Sequence, residues 1–136
     1  MDLEHGTVYP LNQATLITPE GTTQELTPKG KTFTYDEIRN AIKEGCLIQP
    51  IQLKYWTNHK DFKKMNFICD EEGMINGSKR NEKASKLLKG ILGPNAQDLY
   101  GNVIFLPNKL YRIRQSNNLQ RLRLMLIASS LTQSPT

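Results

Sequence analysis

Residues 46–73, CLIQPIQLKYWTNHKDFKKMNFICDEEG, are the part of the sequence that decides the fold. Residues 46–53 and 65–69 are mostly apolar and of strand length, and a polar segment, 54–64, separates them. Pro50 removes a backbone donor from the first run, which favours an edge strand or a bulge there. Asp-Glu-Glu-Gly at 70–73 is typical of a turn. We therefore predict two antiparallel strands connected by residues 54–64.

A short helix is predicted immediately before this pair of strands. Thr34 precedes Glu37 by three residues, which is the spacing of a capping box at a helix N-terminus. An apolar stripe follows at helical spacing, formed by Ile38, Ala41 and Ile42. Gly45 is expected to end the helix as its C′ residue.

Three further elements are predicted in the body of the chain. Residues 14–17 and 22–26 flank Pro-Glu-Gly at 19–21 and indicate a β-hairpin. Residues 81–89 indicate a second short helix, closed by Gly90 or by Gly93-Pro94, with three inward residues: Ala84, Leu87 and Leu88. Residues 103–106 form a strand that Pro107 ends. The fold class is α+β, with a small antiparallel sheet of about four or five strands and two short helices.

The character of the sequence changes after Pro107. Residues 117–130 carry apolar side chains at helical spacing, which predicts a basic amphipathic helix at the C-terminus: Leu119, Leu122, Met125 and Leu126. We therefore divide the chain into a domain at 1–106 and a basic extension at 107–136. The extension is expected to pack on the domain, and the domain is expected to fold without it.

The charge follows the same division. Residues 1–98 hold all 13 acidic residues and 13 of the 18 basic residues, so that stretch is neutral. The net charge of +5 therefore comes from the basic residues that follow, which no acid accompanies: Lys109, Arg112, Arg114, Arg121 and Arg123. Such a separation indicates a localised basic surface.

The composition is that of an ordinary folded domain, with 38% hydrophobic and 23% charged residues. The sequence contains no secretory signal and no apolar run of membrane-spanning length, so a cytoplasmic protein without a membrane partner is expected. Cys46 and Cys69 lie among apolar neighbours and are predicted to be buried, reduced thiols.

Three stretches resemble a known family. They are Gly-Lys-Thr-Phe-Thr-Tyr-Asp-Glu-Ile at 30–38, Gly-Met-Ile-Asn-Gly-Ser-Lys-Arg-Asn-Glu-Lys-Ala at 73–84 and Gly-Asn-Val-Ile-Phe at 101–105. They are similar to the Gly-Lys-x-Phe-Thr and Asn-Glu-x-Ala helix starts and the closing Gly-Asp-Val/Ile strand of domain-of-unknown-function family 3846. The resemblance covers residues 14–106, and it departs from the family at Asn102, where an acid is usual.

Small proteins of that family are common in phages and mobile elements. The resemblance therefore implies an accessory protein of phage or plasmid type in the bacterial cytoplasm. It transfers no catalytic residue, because the family has no defined activity. Residues 54–64 and the basic extension are additions to the family pattern.

Catalytic and metal sites are not supported by the sequence. Gly30-Lys31-Thr32 lacks the glycine that a phosphate-binding loop needs five residues earlier, since position 25 is a glutamate. His5 and His59 have no neighbouring Cys or His to complete a metal site. We therefore predict no catalytic residue, no metal, no cofactor and no enzymatic activity.

Residues 54–64 are the stronger candidate for a binding surface. Aromatic rings alternate there with cations, of which Tyr55, Trp56, Lys60, Lys63 and Lys64 are the candidate contact residues. Rings and cations together suit bases and phosphates, and they equally suit a protein interface. Alternatively, the rings fold back onto the core and the lysines are merely solvated. If the segment is a binding surface, Trp56 should be at least partly exposed.

The basic extension supplies four more candidates. Arg112, Arg114, Arg121 and Arg123 are suited to phosphate or carboxylate contacts. The extension is either a helix packed on the domain, a partner-binding or self-associating helix, or a nucleic-acid contact.

Two functions remain open on this evidence. The first is a non-enzymatic accessory protein that binds a host protein and modulates its activity as an inhibitor or adaptor, with a homo-oligomer formed through the C-terminal helix as an option. The alternative is a protein that binds nucleic acid or sequesters a nucleotide through a basic, aromatic surface.

Overall fold

The computed structural model describes residues 2–4 and 7–113 of the chain. In these residues it contains the following strands and helices in order: β1 (Asp2–Glu4), β2 (Thr7–Val8), β3 (Ala14–Ile17), β4 (Thr23–Leu26), α1 (Tyr35–Ile42), β5 (Ile48–Gln52), β6 (Met65–Asp70), α2 (Glu82–Leu92) and β7 (Val103–Pro107). None of the described helices has the length and apolar character needed to cross a membrane.

The centre of the fold is a five-stranded antiparallel sheet with the order β4-β3-β7-β6-β5. This confirms the predicted α+β class, the antiparallel sheet and the two helices. The last strand, β7, lies in the middle of the sheet, while β5 with Pro50 forms one edge, as Pro50 predicts. β1 and β2 form a separate two-stranded ribbon beside α2 that the sequence did not predict.

Both faces of the sheet are covered. One core cluster, the α2-side cluster, joins the inward residues of α2 to Met65, Phe67 and Cys69. A second, the α1-side cluster, joins the inward residues of α1 to Ile68. Successive side chains of a strand point to opposite faces, so β6 contributes to both clusters and all of it is buried. This explains why β7 is a continuous apolar run and why β6 is apolar at most positions, with Asn66 and Asp70 as buried polar exceptions.

The start of α1 is the predicted capping box. Glu37 N donates to Thr34 Oγ1 at 3.2 Å, and Thr34 N donates to Glu37 Oε1 at 2.9 Å. The bonds that the Glu37 carboxylate accepts from Thr34 N and Lys29 N lower its pKa. The predicted end of the helix is wrong, because α1 ends at Ile42 and its C-cap is Lys43 in an extended conformation. Gly45, with a φ of 79°, instead forms the turn that leads to β5.

The second helix extends further than predicted. It begins after the N-cap Asn81 and runs to Leu92, and Gly93, one of the two predicted ends, is its C-cap. Ala84, Leu87 and Leu88 are buried as predicted.

The packed body continues beyond β7. Phe33 N donates to Leu110 O at 2.7 Å, and Leu110 and Tyr111 pack against the α1-side cluster. The Asn66 side chain also donates to Asn108 Oδ1. Residues 107–111 are thus joined to the domain that we predicted to end at 106. The predicted helix at 117–130, which contains Arg121 and Arg123, lies outside the described residues, and so does Arg114 before it.

Candidate functional site

Residues 54–64, which we call the basic loop, connect β5 to β6. The antiparallel pairing of the two strands, with Gln52 opposite Asn66, brings the ends of the loop together and confirms the predicted connection. Leu53 and Phe62 are buried and attach the loop to the core at both ends. Trp56 N donates to Leu53 O at 2.9 Å and closes a short helical turn at Leu53–Tyr55. A second short helical turn follows at Phe62–Lys64. The loop therefore has a defined backbone.

The histidine of the loop has a structural role. Asp61 N donates to His59 Nδ1 at 3.2 Å, and the His59 ring lies 4.6 Å from the ring of Phe62. The imidazole thus fixes the turn that precedes Lys63, whose N donates to His59 O at 3.0 Å.

The two predicted aromatic contact residues differ in exposure. Tyr55 is 46% exposed, and Lys54 Nζ lies 5.2 Å from the centre of its ring. Trp56 is only partly exposed and packs against the α2-side cluster. Its Nε1 is buried and has no hydrogen-bond partner among the described residues. Tyr55 is therefore the aromatic ring that the loop presents to solvent, and Trp56 mainly holds the loop on the core.

The lysines of the loop are exposed: Lys54, Lys60, Lys63 and Lys64. The ion pairs found in the described part of the chain join other residues, namely Arg39 to Asp36, Arg80 and Lys89 to Asp98, and Lys86 to Glu82. None of the four loop lysines is paired with a carboxylate within this part. Their amines are available to an anionic ligand.

The sheet brings further cations to the same end as the basic loop. Met65 is opposite Pro107, so Lys63 and Lys64, which precede β6, lie at the end of the sheet from which Lys109 and Arg112 continue. Residues 27–33, which follow β4, reach this end as well, because Phe33 is bonded to Leu110. We call this surface the basic end, and its exposed cations are Lys29, Lys31, Lys54, Lys60, Lys63, Lys64, Lys109 and Arg112.

The sequence identified only part of this surface. It identified Lys60, Lys63, Lys64 and Arg112 as contact residues, and the structure places all four at the basic end. Lys29 and Lys31 were not among the predicted contact residues, because only the pairing of strands that are distant in sequence brings them there. The signal that could have located them is the hairpin of residues 14–26, which returns the chain to this end.

The opposite end of the sheet is acidic. Asp70 ends β6, and Glu71 and Glu72 follow it in the predicted turn, where Glu72 N donates to Asp70 Oδ1 at 2.9 Å. A cavity of about 310 Å³ lies here, and its charged lining residues are Asp70, Glu71 and Asp98. Hydrogen bonds from Lys89 and Arg80 lower the pKa of Asp98. The cavity is lined by these carboxylates and by no lysine or arginine, so an anionic ligand is disfavoured in it.

The two cysteines are buried free thiols, as predicted. Burial, and then the charge of Asp70, raise the pKa of Cys69 to about 12. The same two causes raise the pKa of Cys46 above its ordinary value. A thiol with a raised pKa is protonated near neutral pH and is a poor nucleophile.

No protein-family model matches this chain, and comparisons with curated proteins and with solved structures find no similar protein. The basic end is therefore interpreted from its own geometry.

Proposed function

We propose that this protein is a non-enzymatic nucleic-acid-binding protein that contacts phosphate groups with the basic end of its sheet. The proposal is carried by one observation, the gathering of exposed lysines and Arg112 from separate parts of the sequence at one end of the fold. Phosphate contacts from Lys and Arg supply most of the affinity of non-specific nucleic-acid binding.

Two features favour nucleic acid over a host protein, the partner that the sequence placed first. Trp56, the residue best suited to anchor a protein interface, packs against the core of its own chain. The groups that remain exposed in the basic loop are mostly lysine amines, and lysine is depleted in protein interfaces. A modulator that binds an acidic surface of a host protein is retained as the second candidate, because Tyr55 is exposed among these lysines.

The biological setting is proposed on the family resemblance alone. It is that of a phage or mobile-element accessory protein acting in the bacterial cytoplasm. The absence of enzymatic activity is proposed because the groups that acid–base or nucleophilic catalysis would use have other roles. His59 holds a turn, and the thiol of Cys69 is protonated at neutral pH.

The proposal is tested by measuring affinity for a labelled oligonucleotide as a function of salt concentration. Each phosphate contact releases counterions, so the logarithm of the association constant should fall linearly with the logarithm of the salt concentration. Replacing Lys60, Lys63 or Lys64 by Gln should reduce the slope by about 1 for each lysine that contacts a phosphate. Lys83→Gln on α2, away from the basic end, is the matched control and should leave the slope unchanged.

A pull-down from bacterial lysate with and without nuclease separates the two candidates. Nuclease-sensitive recovery of nucleic acid supports the proposal. Nuclease-resistant capture of one acidic protein, with no measurable affinity for oligonucleotides at low salt, would replace it with the second candidate.

A further inference from the structure

Tyr55 is the aromatic ring of the basic loop that has both exposed area and a fixed position. Tyr55 is 46% exposed, and it is the last residue of a short helical turn at Leu53–Tyr55. Trp56 N and Thr57 N both donate to Leu53 O, at 2.9 and 3.0 Å, and close this turn behind the ring. Because the backbone is already ordered, a flat ligand that contacts the ring loses little additional chain entropy.

A cation accompanies the ring. Lys54 Nζ lies 5.2 Å from the centre of the Tyr55 ring, and Lys60, Lys63 and Lys64 are exposed on the same loop. A nucleotide carries the matching pair of groups, a flat base and a negatively charged phosphate, in close succession. Aromatic rings in a basic groove are the usual means of binding single strands without sequence preference.

From these contacts we infer that the basic loop selects single-stranded nucleic acid, with one unpaired base stacked on Tyr55 and the adjacent phosphates on the loop lysines. This inference rests on the proposed function and specifies the kind of nucleic acid that is bound. A duplex can use the lysines but not the ring, since its bases are already stacked on each other. Tyr55 therefore accounts for the preference for single-stranded over duplex nucleic acid, and the lysines account for the affinity that both ligands share.

The chain offers a matched control in Tyr35. Its exposed fraction is 43%, and Arg39 lies 5.5 Å from its ring, so ring exposure and cation contact resemble those of Tyr55. However, Arg39 is paired with Asp36 at 3.3 Å, and Glu37 lies on the same first turn of the helix. Carboxylates repel a phosphate backbone, so Tyr35 should not bind a nucleotide.

The test measures the dissociation constants of a labelled oligothymidylate and of a duplex of equal length, with the full chain at one salt concentration. Tyr55→Leu should weaken single-strand binding by about 5- to 150-fold, the range for one lost stacked base, and leave duplex binding unchanged. Tyr55→Phe should bind as the wild type does, because the ring and not the hydroxyl is used. Tyr35→Leu should have no effect on either ligand.

The failure of this inference can be distinguished from failure of the proposed function. Equal affinity for the two ligands, with no effect of Tyr55→Leu, overturns single-strand selection and leaves phosphate binding in place. Absence of binding to both ligands at low salt overturns both proposals. Ultraviolet crosslinking of the wild-type chain to oligothymidylate gives an answer that does not depend on a variant. The nucleotide should be attached to the peptide that contains Tyr55, and attachment only to other peptides would exclude the stacking contact.

Discussion

The side-chain amide of Asn81 donates a 2.8 Å hydrogen bond to the main-chain oxygen of Ile17, 64 residues earlier in the chain. The same amide donates to Gly101 O at 2.8 Å, and Asn81 Oδ1 accepts from Ala84 N at 3.0 Å. Asn81 is fully buried. One side chain therefore caps α2 and joins it to the end of β3 and to the segment that leads into β7.

We expect Asn81→Ala to lower the free energy of unfolding by about 2–4 kcal/mol. The substitution removes a helix cap, which contributes about 1 kcal/mol, and leaves two main-chain oxygens without this donor in the interior. Thr34→Ala is the matched control, since it removes the exposed cap of α1 and should cost only about 1 kcal/mol. Urea unfolding of both variants measures the difference, and equal losses would show that the long-range bonds contribute nothing.

A side chain at Gly73 is expected to be crowded against Tyr100. A Cβ at this position would lie 3.1 Å from Tyr100 O and 3.2 Å from Tyr100 Cβ. Gly73→Ala should therefore force the turn away from Tyr100 and cost about 1–3 kcal/mol of stability. At Gly30 a Cβ would meet only Thr32 O at 4.0 Å, so Gly30→Ala should change the melting temperature little. Similar melting temperatures for the two variants would contradict the close packing at Tyr100.

Cys69 should react with a thiol reagent only when the protein unfolds. Its folded pKa of about 12 exceeds the ordinary value of 9.0, so the folded state retains the proton longer than the unfolded state does. The stabilising contribution is complete below pH 9.0 and is lost as the pH rises from 9.0 to about 12. Between pH 8 and 10 the wild type should lose on the order of 1 kcal/mol more stability than Cys69→Ala. An equal loss in both proteins, or rapid labelling of Cys69 in the folded state, would refute this account.

Trp56 should behave as a partly buried residue that packs against the core. Its emission should be blue-shifted and resistant to a soluble quencher, because the ring packs against the α2-side cluster. Trp56→Ala should lower the free energy of unfolding by about 2–4 kcal/mol. Tyr55→Ala, at the exposed neighbouring position, should lower it by less than about 0.5 kcal/mol. If Trp56 is fully accessible to the quencher and its removal leaves stability unchanged, it is a surface contact residue and does not pack against the core.

Truncation should depend on where the chain is cut. A chain that ends after Ile113 keeps Leu110 and Tyr111 on the α1-side cluster and should unfold cooperatively. A chain that ends after Pro107 removes both residues and the acceptor of the Phe33 amide, and should be less stable by at least about 1 kcal/mol. The chain that ends after Ile113 should still bind an oligonucleotide more weakly than the full chain does, because it lacks the three arginines of residues 114–136. Equal stability of the two truncated chains would place the domain boundary at 106.

The parts of the fold that the sequence predicted are those encoded locally. Thr34 and Glu37 cap each other within one turn, and Pro50 limits its strand to an edge through the donor that it lacks. The position of β7 between β3 and β6 could not be read in this way, because it depends on pairing between residues far apart in the sequence. For the same reason the site was only partly predicted. The cations of the basic loop are adjacent in sequence, but the packing of Trp56 against the core and the position of Lys29 and Lys31 at the basic end depend on the assembled sheet.

Lys63 and Lys64 precede β6 and the carboxylates of residues 70–72 lie at its other end, so these charges contribute an electric dipole parallel to the strand. In the field of a polyanion such a molecule rotates before it makes contact, so that productive collisions become more frequent. A strand of five or six residues is roughly 17–20 Å long, which exceeds the Debye length of about 8 Å at physiological salt. The association rate should therefore be highest at low salt concentration, and it should fall as salt is added.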